Sequence, residues 1–225
     1  MKVLFANIPF IRYVDGQIYT GPNAGSRWPW TAPGNHFHAY APFPFWLAYA
    51  AKYVASHGYD VAFYDGVALK HNSFQKVKST IYEINPDIIF YDVATPTYEI
   101  NNQLAAWAKQ TLRVRNVFCG PHMKTYAKDC IELDHIDNCV IGEYEIPALD
   151  ICEKLDNSKE IYRYEHLKNI DTLPDGSNFT PYRPYSYLHN YYDPSMRTPY
   201  TQLTVSTSRG CPFKCTYCQW PNVIN

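Results

Sequence analysis

The fold of this 225-residue chain is decided most clearly by the run Ile88-Ile89-Phe90-Tyr91. The run is apolar throughout and shows no alternation between apolar and polar positions. Strands of a parallel sheet have this character because helices cover both of their faces. Polar residues follow at 94–97, and a helix-period segment begins near Glu99. The pattern therefore predicts a buried parallel strand, then a loop, then a helix.

The same alternation of short apolar runs and helix-period segments extends in both directions from this strand. It predicts strands at 3–6, 59–65, 88–91, 116–119 and 138–141, and helices at 45–56, 74–84, 99–112, 123–133 and 146–155. Five strand–helix units of this kind predict an α/β fold: a doubly wound, flavodoxin- or Rossmann-like domain with a parallel five-stranded sheet over residues 1–160. Ligands of such domains sit beyond the carboxyl ends of the strands.

Composition excludes several classes of function. The 20 Lys and Arg residues balance 21 Asp and Glu residues, so nothing favours binding to nucleic acid or to an anionic membrane. No apolar run approaches the roughly 18–20 residues that span a bilayer, and the first residues have the pattern of a strand rather than of a signal peptide. We expect a cytoplasmic protein whose cysteines stay reduced. Four of the seven cysteines fall inside predicted strands or helices and are expected to be plain thiols: Cys119, Cys130, Cys139 and Cys152.

Residues 161–200 differ from the domain before them. Prolines and tyrosines are frequent and periodic apolar positions are few, which predicts an extended linker. The alternation at 202–207 then predicts a strand, and a cysteine-rich loop follows at once.

That loop contains Cys211, Cys215 and Cys218, separated by three and then two residues. A short loop with this spacing can direct three thiolates to one metal centre. Closed zinc sites take about four protein ligands, whereas a cubane iron–sulfur cluster can leave one iron open for a substrate. Two alternatives to an open cluster stay possible on these residues alone: a zinc site completed by a distant histidine, and three unligated thiols.

The spacing and its neighbours resemble the radical S-adenosylmethionine (SAM) enzymes. The resemblance implies that the three cysteines hold a 4Fe-4S cluster whose unique iron binds SAM. It also implies that Tyr217, the aromatic residue before the last cysteine, lies against the adenine of SAM, and Arg209-Gly210 matches the run-in to the motif. The family places such a loop after the first strand of a (β/α) barrel. Residues 201–225 are therefore expected to begin a truncated radical SAM domain, and the chain is expected to be part of a longer protein and inactive alone.

The loops after the third, fourth and fifth predicted strands carry a second signal. They contain Ala94-Thr95-Pro96-Thr97, Cys119-Gly120-Pro121-His122 and Gly142-Glu143-Tyr144-Glu145. Followed by a Pro-rich linker and the cysteine loop, this set resembles the cobalamin-binding radical SAM enzymes. Their N-terminal domains commonly show G-G-x-H and G-E-x-E in the last two of these loops, and Cys119 replaces the first glycine of the former motif. The resemblance implies a cobalamin-binding domain over residues 1–160.

The residue types in these loops suit a corrin ring. Gly120 and Gly142 allow the backbone to approach a flat macrocycle closely, and Thr95 and Thr97 offer hydroxyl groups to the nucleotide tail or to corrin amides. His122 is the histidine nearest the expected pocket, where local hydrogen bonding competes with any role at cobalt. Ordinary turns also explain the two glycines, and an N-cap also explains Thr97.

Other polar residues receive no ligand role. Glu143 and Glu145 are explained by solvation or by capping of the following helix. The motif D-x-H-x-x-G, which supplies a histidine to cobalt in methionine-synthase-type domains, is absent after the first strand, so cobalamin is expected to bind without a protein histidine on cobalt. His36 and His38 are expected to have loop or surface roles. They lie in an unusually long connection, residues 11–44.

Long ordered loops are usually functional. This connection is expected either to form an aromatic wall over the corrin or the substrate or to be a self-packed surface loop. Its aromatic residues include Trp28, Trp30, Phe37 and Tyr40.

Together these features predict the N-terminal portion of a cobalamin-dependent radical SAM enzyme. The resemblance implies that a 5′-deoxyadenosyl radical abstracts hydrogen from an unactivated carbon of a small-molecule substrate. It implies C-methyl transfer as the leading reaction, with an electron donor such as flavodoxin or ferredoxin. Ring closure or rearrangement is the alternative radical reaction. A non-catalytic corrinoid-binding module and a zinc-stabilised binding protein are the alternatives from other classes.

Overall fold

The computed structural model describes residues 1–21, 34–35, 41–154, 158–163, 167–192, 201–202, 204–211, 213 and 215–217. In chain order the strands are β1 (Lys2–Asn7), β2 (Phe10–Val14), β3 (Gln17–Gly21), β4 (Gly34–Asn35), β5 (Asp60–Asp65), β6 (Ile88–Asp92), β7 (Arg115–Cys119), β8 (Asn138–Ile141) and β9 (Glu160–Arg163). The helices are α1 (Phe45–Ser56), α2 (Phe74–Ile84), α3 (Tyr98–Leu112), α4 (Met123–Ile131) and α5 (Glu145–Glu153). None of these described helices is both long enough and apolar enough to cross a membrane.

The main sheet confirms the predicted doubly wound α/β fold. Its strand order is β5-β1-β6-β7-β8-β9, and every neighbouring pair is parallel. The order reverses between β1 and β6, as in flavodoxin-like sheets. The sheet has six strands, one more than predicted, because β9 pairs with β8 at the edge. Tyr162 is the buried residue of β9, so this strand lacks the continuous apolar run that marks the central ones.

Two apolar layers hold the helices on the two faces of the sheet. On one face Leu4 and Ile89 pack in the layer that contains α2, α3 and α4. On the other face Phe5 and Phe90 stack with their ring centroids 4.8 Å apart, in the layer that contains α1 and α5. Successive residues of a strand enter opposite layers because their side chains point to opposite faces. Burying each such large apolar side chain stabilises the fold by roughly 1.5–3 kcal/mol.

The boundaries of α2 show how local sequence sets a helix. The hydroxyl of Ser73 accepts a hydrogen bond from the backbone N–H of Lys76 at 3.2 Å and so caps the first turn. Asn85 ends the helix in the left-handed region with a φ of 50°, and the ring of Pro86 prevents its continuation. The predicted helix at 74–84 is confirmed.

A small second sheet lies in the long connection after β1. Strands β2 and β3 form an antiparallel hairpin, and β4 pairs with β3. The hairpin turns at Asp15-Gly16, where φ is 49° and 76°. A two-residue turn of this kind needs positive φ at both positions, which Asp-Gly provides at low cost. The expectation of a loop over 11–44 is therefore corrected for β2 and β3. Six residues of interest lie outside the described part: Trp28, Trp30, His36, Phe37, His38 and Tyr40.

The tyrosine-rich segment packs on the domain and is not an extended linker in the described residues 167–192. It contains a 3₁₀ segment, Tyr185–Asn190. Tyr187 and Tyr191 are buried, and the hydroxyl of Tyr187 donates to the Phe63 carbonyl oxygen at 3.0 Å. Tyrosine suits this place because its ring packs on apolar surface while its hydroxyl reaches a buried acceptor.

Asp65, the last residue of β5, is the buried centre of this contact. Its Oδ2 accepts a hydrogen bond from the hydroxyl of Tyr191 at 2.9 Å. Its Oδ1 accepts from the side-chain amide of Asn7 at 2.9 Å and from the N–H groups of Val67 and Ala68 at 2.9 and 3.2 Å. Burial raises the pKa of Asp65 from 3.8 to about 7, although these hydrogen bonds oppose the rise.

We expect the fold to lose stability as Asp65 ionises. Between about pH 4 and pH 7 the folded state keeps the proton of Asp65, whereas the unfolded chain has released it. The stability that this protonation difference contributes is therefore complete below about pH 4 and is lost as the pH rises to about 7. Asp65→Asn removes the ionisable group and keeps the shape. Relative to wild type, its free energy of unfolding should therefore rise by about 3–4 kcal/mol between about pH 4 and pH 7.5. Urea unfolding of both proteins across this range measures the difference, and a difference independent of pH would contradict the prediction.

The segment before the cysteines does not form the strand predicted at 202–207. Residues 201–202 and 204–207 make no strand pairing. Strands need a neighbouring strand to complete their backbone hydrogen bonds. Here a side chain takes that place, because the N–H of Ser206 donates to the hydroxyl of Tyr49 at 2.9 Å. The strand prediction is therefore wrong for these residues.

Candidate functional site

A groove opens where the strand order of the main sheet reverses. The connections after β1 and β6 leave the sheet in opposite directions there, and ligands of doubly wound domains bind beyond the carboxyl ends of such strands. The groove has a volume of about 1110 Å³. Arg12, Tyr13 and Tyr19 of the hairpin line one side, and Thr95 and Tyr98 line the other.

Thr95 and His122 are two predicted site residues that the fold brings together. The hydroxyl of Thr95 lies 3.1 Å from Nδ1 of His122. The imidazole is stacked between the rings of Tyr98 and Tyr126, with centroid distances of 4.6 and 4.5 Å. Burial lowers the pKa of His122, which favours the neutral imidazole near neutral pH. His122 thus has local partners on its ring faces and at Nδ1, and a contact with cobalamin stays a prediction.

Thr97 lies deeper than the groove. It is fully buried, and its hydroxyl donates to the Ala94 carbonyl oxygen at 3.2 Å and accepts from the Ala94 N–H at 3.3 Å. It occupies the N-cap position of α3, but its side chain makes no capping bond to that helix. The hydroxyl of Thr97 thus has both of these partners within its own loop, and its contact with cobalamin stays a prediction, whereas Thr95 lines the groove.

The two predicted glycines both have positive φ, 101° at Gly120 and 97° at Gly142. A Cβ at Gly120 would lie 2.4 Å from the carbonyl oxygen of Val93, 2.6 Å from its nitrogen and 2.7 Å from Oδ1 of Asp92. Glycine at 120 is therefore required by the approach of two strand ends within the sheet. Tyr144 also reaches this place, since its hydroxyl donates to Oδ1 of Asp92 at 3.2 Å.

The acidic pair after β8 contacts the cysteine loop. Nη2 of Arg209 lies 2.5 Å from Oε1 of Glu145, and Nη1 lies 3.3 Å from Oε2 of Glu143. The side chains of Arg209, Glu143 and Glu145 are only 8%, 3% and 1% exposed. The expectation that these glutamates are solvated or cap α5 is wrong: both are buried, and the N-terminus of α5 has no side-chain cap.

Aromatic rings surround the guanidinium group of Arg209. Its Cζ lies 4.7 Å from the ring centroid of Trp46, 5.1 Å from that of Tyr49 and 5.6 Å from that of Phe179. Burial raises the pKa of Glu145, and the nearby guanidinium opposes the rise. Burial acts to lower the pKa of Arg209, but the two carboxylates outweigh it and raise the pKa, so the arginine keeps its charge.

The predicted cluster ligands follow this arginine directly. Cys211 is half-buried and Cys215 is exposed, whereas Cys218 lies outside the described residues. Tyr217 is 88% exposed. The four other cysteines are buried and form no disulfide in the described part of the chain: Cys119, Cys130, Cys139 and Cys152.

The residues present fit the two cofactors that the resemblance implies. Aromatic rings and hydroxyl groups line the groove beside the charged side chains of Arg12, Asp15 and Glu99, and Thr95 is the predicted cobalamin residue among its lining residues; the rings and hydroxyl groups suit an amide-bearing ring system. Two accessible thiol groups, those of Cys211 and Cys215, are of the kind that holds iron–sulfur clusters.

Sequence reasoning missed the contact between Arg209 and the acidic pair. The two motifs do carry opposite charges, since G-E-Y-E contains two acids and an arginine precedes the cysteines. Nothing in either motif indicates that they meet. The aromatic residues around Arg209 gave no signal either, since Trp46 and Tyr49 read as ordinary positions of α1.

Comparison with known proteins agrees with this architecture. The sequence profile of the B12 binding domain family matches residues 39–151, about half of the chain, and this region contains the loops after β6, β7 and β8. The chain is also 27% identical over 197 residues to an uncharacterized methyltransferase of Pyrococcus horikoshii. That alignment covers 78% of this chain, which spans about 40% of the length of the relative. No solved structure matches the chain significantly. The chain belongs to the B12-binding domain family.

Proposed function

We propose that this chain is the N-terminal part of a cobalamin-dependent radical SAM enzyme that transfers a methyl group to an unactivated carbon of a small molecule. The observation that carries the proposal is the buried contact of Arg209, in the cysteine loop, with Glu143 and Glu145 at the carboxyl edge of the B12-binding domain. A reaction that uses both cofactors requires such a thiol loop close to a corrinoid-binding edge. The name of the Pyrococcus relative supports methyl transfer as the reaction class.

In this proposal the protein's own part is to hold, orient and shield the reactants. The three cysteines of the loop would hold the cluster, Tyr217 would lie against adenine, and Thr95, Gly120 and Gly142 would border the corrin. When bound, the cluster supplies the electron that cleaves SAM, and cobalamin supplies the methyl group. A cytoplasmic flavodoxin or ferredoxin is the expected electron donor.

The cobalamin part of the proposal is tested by binding and by electron paramagnetic resonance (EPR). The chain should bind hydroxocobalamin, and the Co(II) form should show no splitting from histidine nitrogen, even with isotopically labelled protein. The reason is that the His122 imidazole is buried between two rings and held by Thr95. Splitting from a histidine nitrogen would contradict the ligand prediction, and absence of binding would overturn the cobalamin assignment.

The radical SAM part is tested by metal analysis. After anaerobic reconstitution with iron and sulfide, the protein should hold both elements in roughly equal amounts, near four of each per chain. Zinc without sulfide would overturn the radical proposal and favour a zinc-stabilised, corrinoid-binding protein.

A further inference from the structure

We infer that Arg209 is a positioning residue that docks the cysteine loop on the B12-binding domain and thereby sets the separation of the two cofactor sites. Glu143 and Glu145 are the acidic residues that Arg209 contacts on that domain. The identity of the cofactors rests on the proposed function, whereas the docking itself stands on the geometry of these three side chains.

The contact uses the shape of the guanidinium group as well as its charge. Nη2 donates a hydrogen bond to Glu145, and Nη1 makes an ion-pair contact with Glu143 on the other side of Tyr144 in the chain. One directed hydrogen bond and one ion-pair contact made by the same planar group restrain the orientation of the loop more than a single ammonium charge does.

Three segments that are distant in sequence converge on this one side chain. Trp46 and Tyr49 come from α1, Phe179 comes from the tyrosine-rich segment, and the glutamates follow β8. A cation over an aromatic face is attracted by the ring electrons, and the attraction is stronger where water is excluded. Arg209 therefore contacts residues of all three segments.

Neighbouring hydrogen bonds extend the docking to residues 204–209. The hydroxyl of Tyr49 accepts from the Ser206 N–H at 2.9 Å. Nη2 of Arg183 donates to the Thr204 carbonyl oxygen at 2.9 Å. The segment thus lies along the domain before it reaches Arg209.

The charges show why the glutamates need the arginine. Two carboxylates and one guanidinium group are buried together, so removal of Arg209 would leave two like charges close together and without water. The free-energy cost of two buried, unneutralised carboxylates falls when the loop leaves and water enters. The pair is therefore stable in its buried form only while the loop is docked.

Docking at Arg209 restrains Cys211, the first of the predicted cluster ligands. Cys211 follows by two residues, which is at most about 7 Å of extended chain. Gly210 between them has a φ of 80°, a conformation that favours glycine. The first thiol is therefore held close to the carboxyl edge of the sheet.

Hydrogen exchange of the whole 225-residue chain without cofactors tests the docking. In Arg209→Gln the amide of Ser206, which donates to the hydroxyl of Tyr49 in the docked segment, should exchange about tenfold faster or more, while the amides of β1 and β6 keep their wild-type rates. Arg209→Lys, which keeps the charge without the planar group, should be intermediate. The matched control is Arg163→Gln, at an exposed arginine of β9, which should change neither region. Wild-type exchange at Ser206 in Arg209→Gln would overturn the inference.

A second variant covers the case in which Arg209→Gln unfolds the domain. The triple replacement Arg209→Gln, Glu143→Gln, Glu145→Gln leaves no charge buried at this place and should fold with the loop released. If the amide of Ser206 stays protected in this folded variant, the ion pairs do not dock the loop and the inference is overturned.

The effect on the cofactor sites is measured separately. With both cofactors bound, the reduced cluster should shorten the spin relaxation time of Co(II), and Arg209→Gln should weaken this effect while the bound cofactor amounts stay unchanged. An unchanged effect would overturn the positioning role. If neither cofactor binds to wild type, the proposed function fails, and hydrogen exchange still decides the docking.

Discussion

Alanine in place of Cys211, Cys215 or Cys218 should abolish reductive cleavage of SAM by the protein as encoded in full. Each thiolate is expected to bind one iron of the cluster, and the fourth iron is expected to bind SAM. Loss of any one thiolate therefore leaves a second iron without its protein ligand. Formation of methionine and 5′-deoxyadenosine, measured under anaerobic conditions with a chemical reductant, should fall to the level seen without protein. Iron content after reconstitution should fall with it.

The controls for this experiment are Cys119→Ala and Cys152→Ala. Both thiols are buried within the domain and lie in elements other than the cysteine loop. These variants should retain cleavage, although they lose some stability. Wild-type cleavage by Cys215→Ala would refute the assignment of the loop as the cluster site.

Gly120→Ala should destabilise the domain by about 3–5 kcal/mol, a size reached when strain and overpacking act together. The new methyl group would lie 2.4 Å from the carbonyl oxygen of Val93, at a φ of 101°. The two nearest atoms, the oxygen and nitrogen of Val93, belong to the backbone and cannot rotate away as a side-chain atom can. The Val93 N–H donates to the Cys119 carbonyl oxygen at 2.8 Å, so relief of the clash also breaks the join between β6 and β7. Denaturant unfolding at equilibrium measures the loss, and cobalamin binding should weaken in parallel.

Gly58→Ala is the matched control for Gly120→Ala. Gly58 also has positive φ, 88°, but a Cβ there meets nothing within 4 Å. Gly58→Ala should lower the free energy of unfolding by only about 1–2 kcal/mol, which is the cost of holding a residue with a Cβ at positive φ. Equal losses in the two variants would show that Gly120 is not crowded and would contradict the predicted clash.

The central elements could be predicted because their signals are local. The strand at 138–141 and the helix at 45–56 match their observed bounds, since continuous apolar runs and helical periodicity describe the faces that these segments bury. β9 was missed because an edge strand of four residues with one buried side chain has no such run. The hairpin of β2 and β3 was not predicted, although its turn residues Asp15-Gly16 are a local signal for a two-residue hairpin turn.

In the candidate site, too, some features could be predicted from local sequence and others could not. Gly120, Gly142 and Thr95 were placed at the carboxyl edge by their positions after predicted strands, and the structure has them there. Thr97 was not distinguishable from Thr95 in sequence, since burial of one hydroxyl and exposure of the other depend on how α3 packs.

The sequence by itself therefore determined the doubly wound domain, the order of its loops and the three-cysteine motif, because periodicity, turn residues and ligand spacing are properties of short segments. Only the tertiary structure decided that Tyr191 reaches Asp65 and that Arg209 lies between Glu143 and Glu145. Partners 126 and 64 residues apart leave no periodic trace in either segment. Charged and hydroxyl groups become partners only when folding removes water from both, and which groups lose water together is set by the packing of the whole chain.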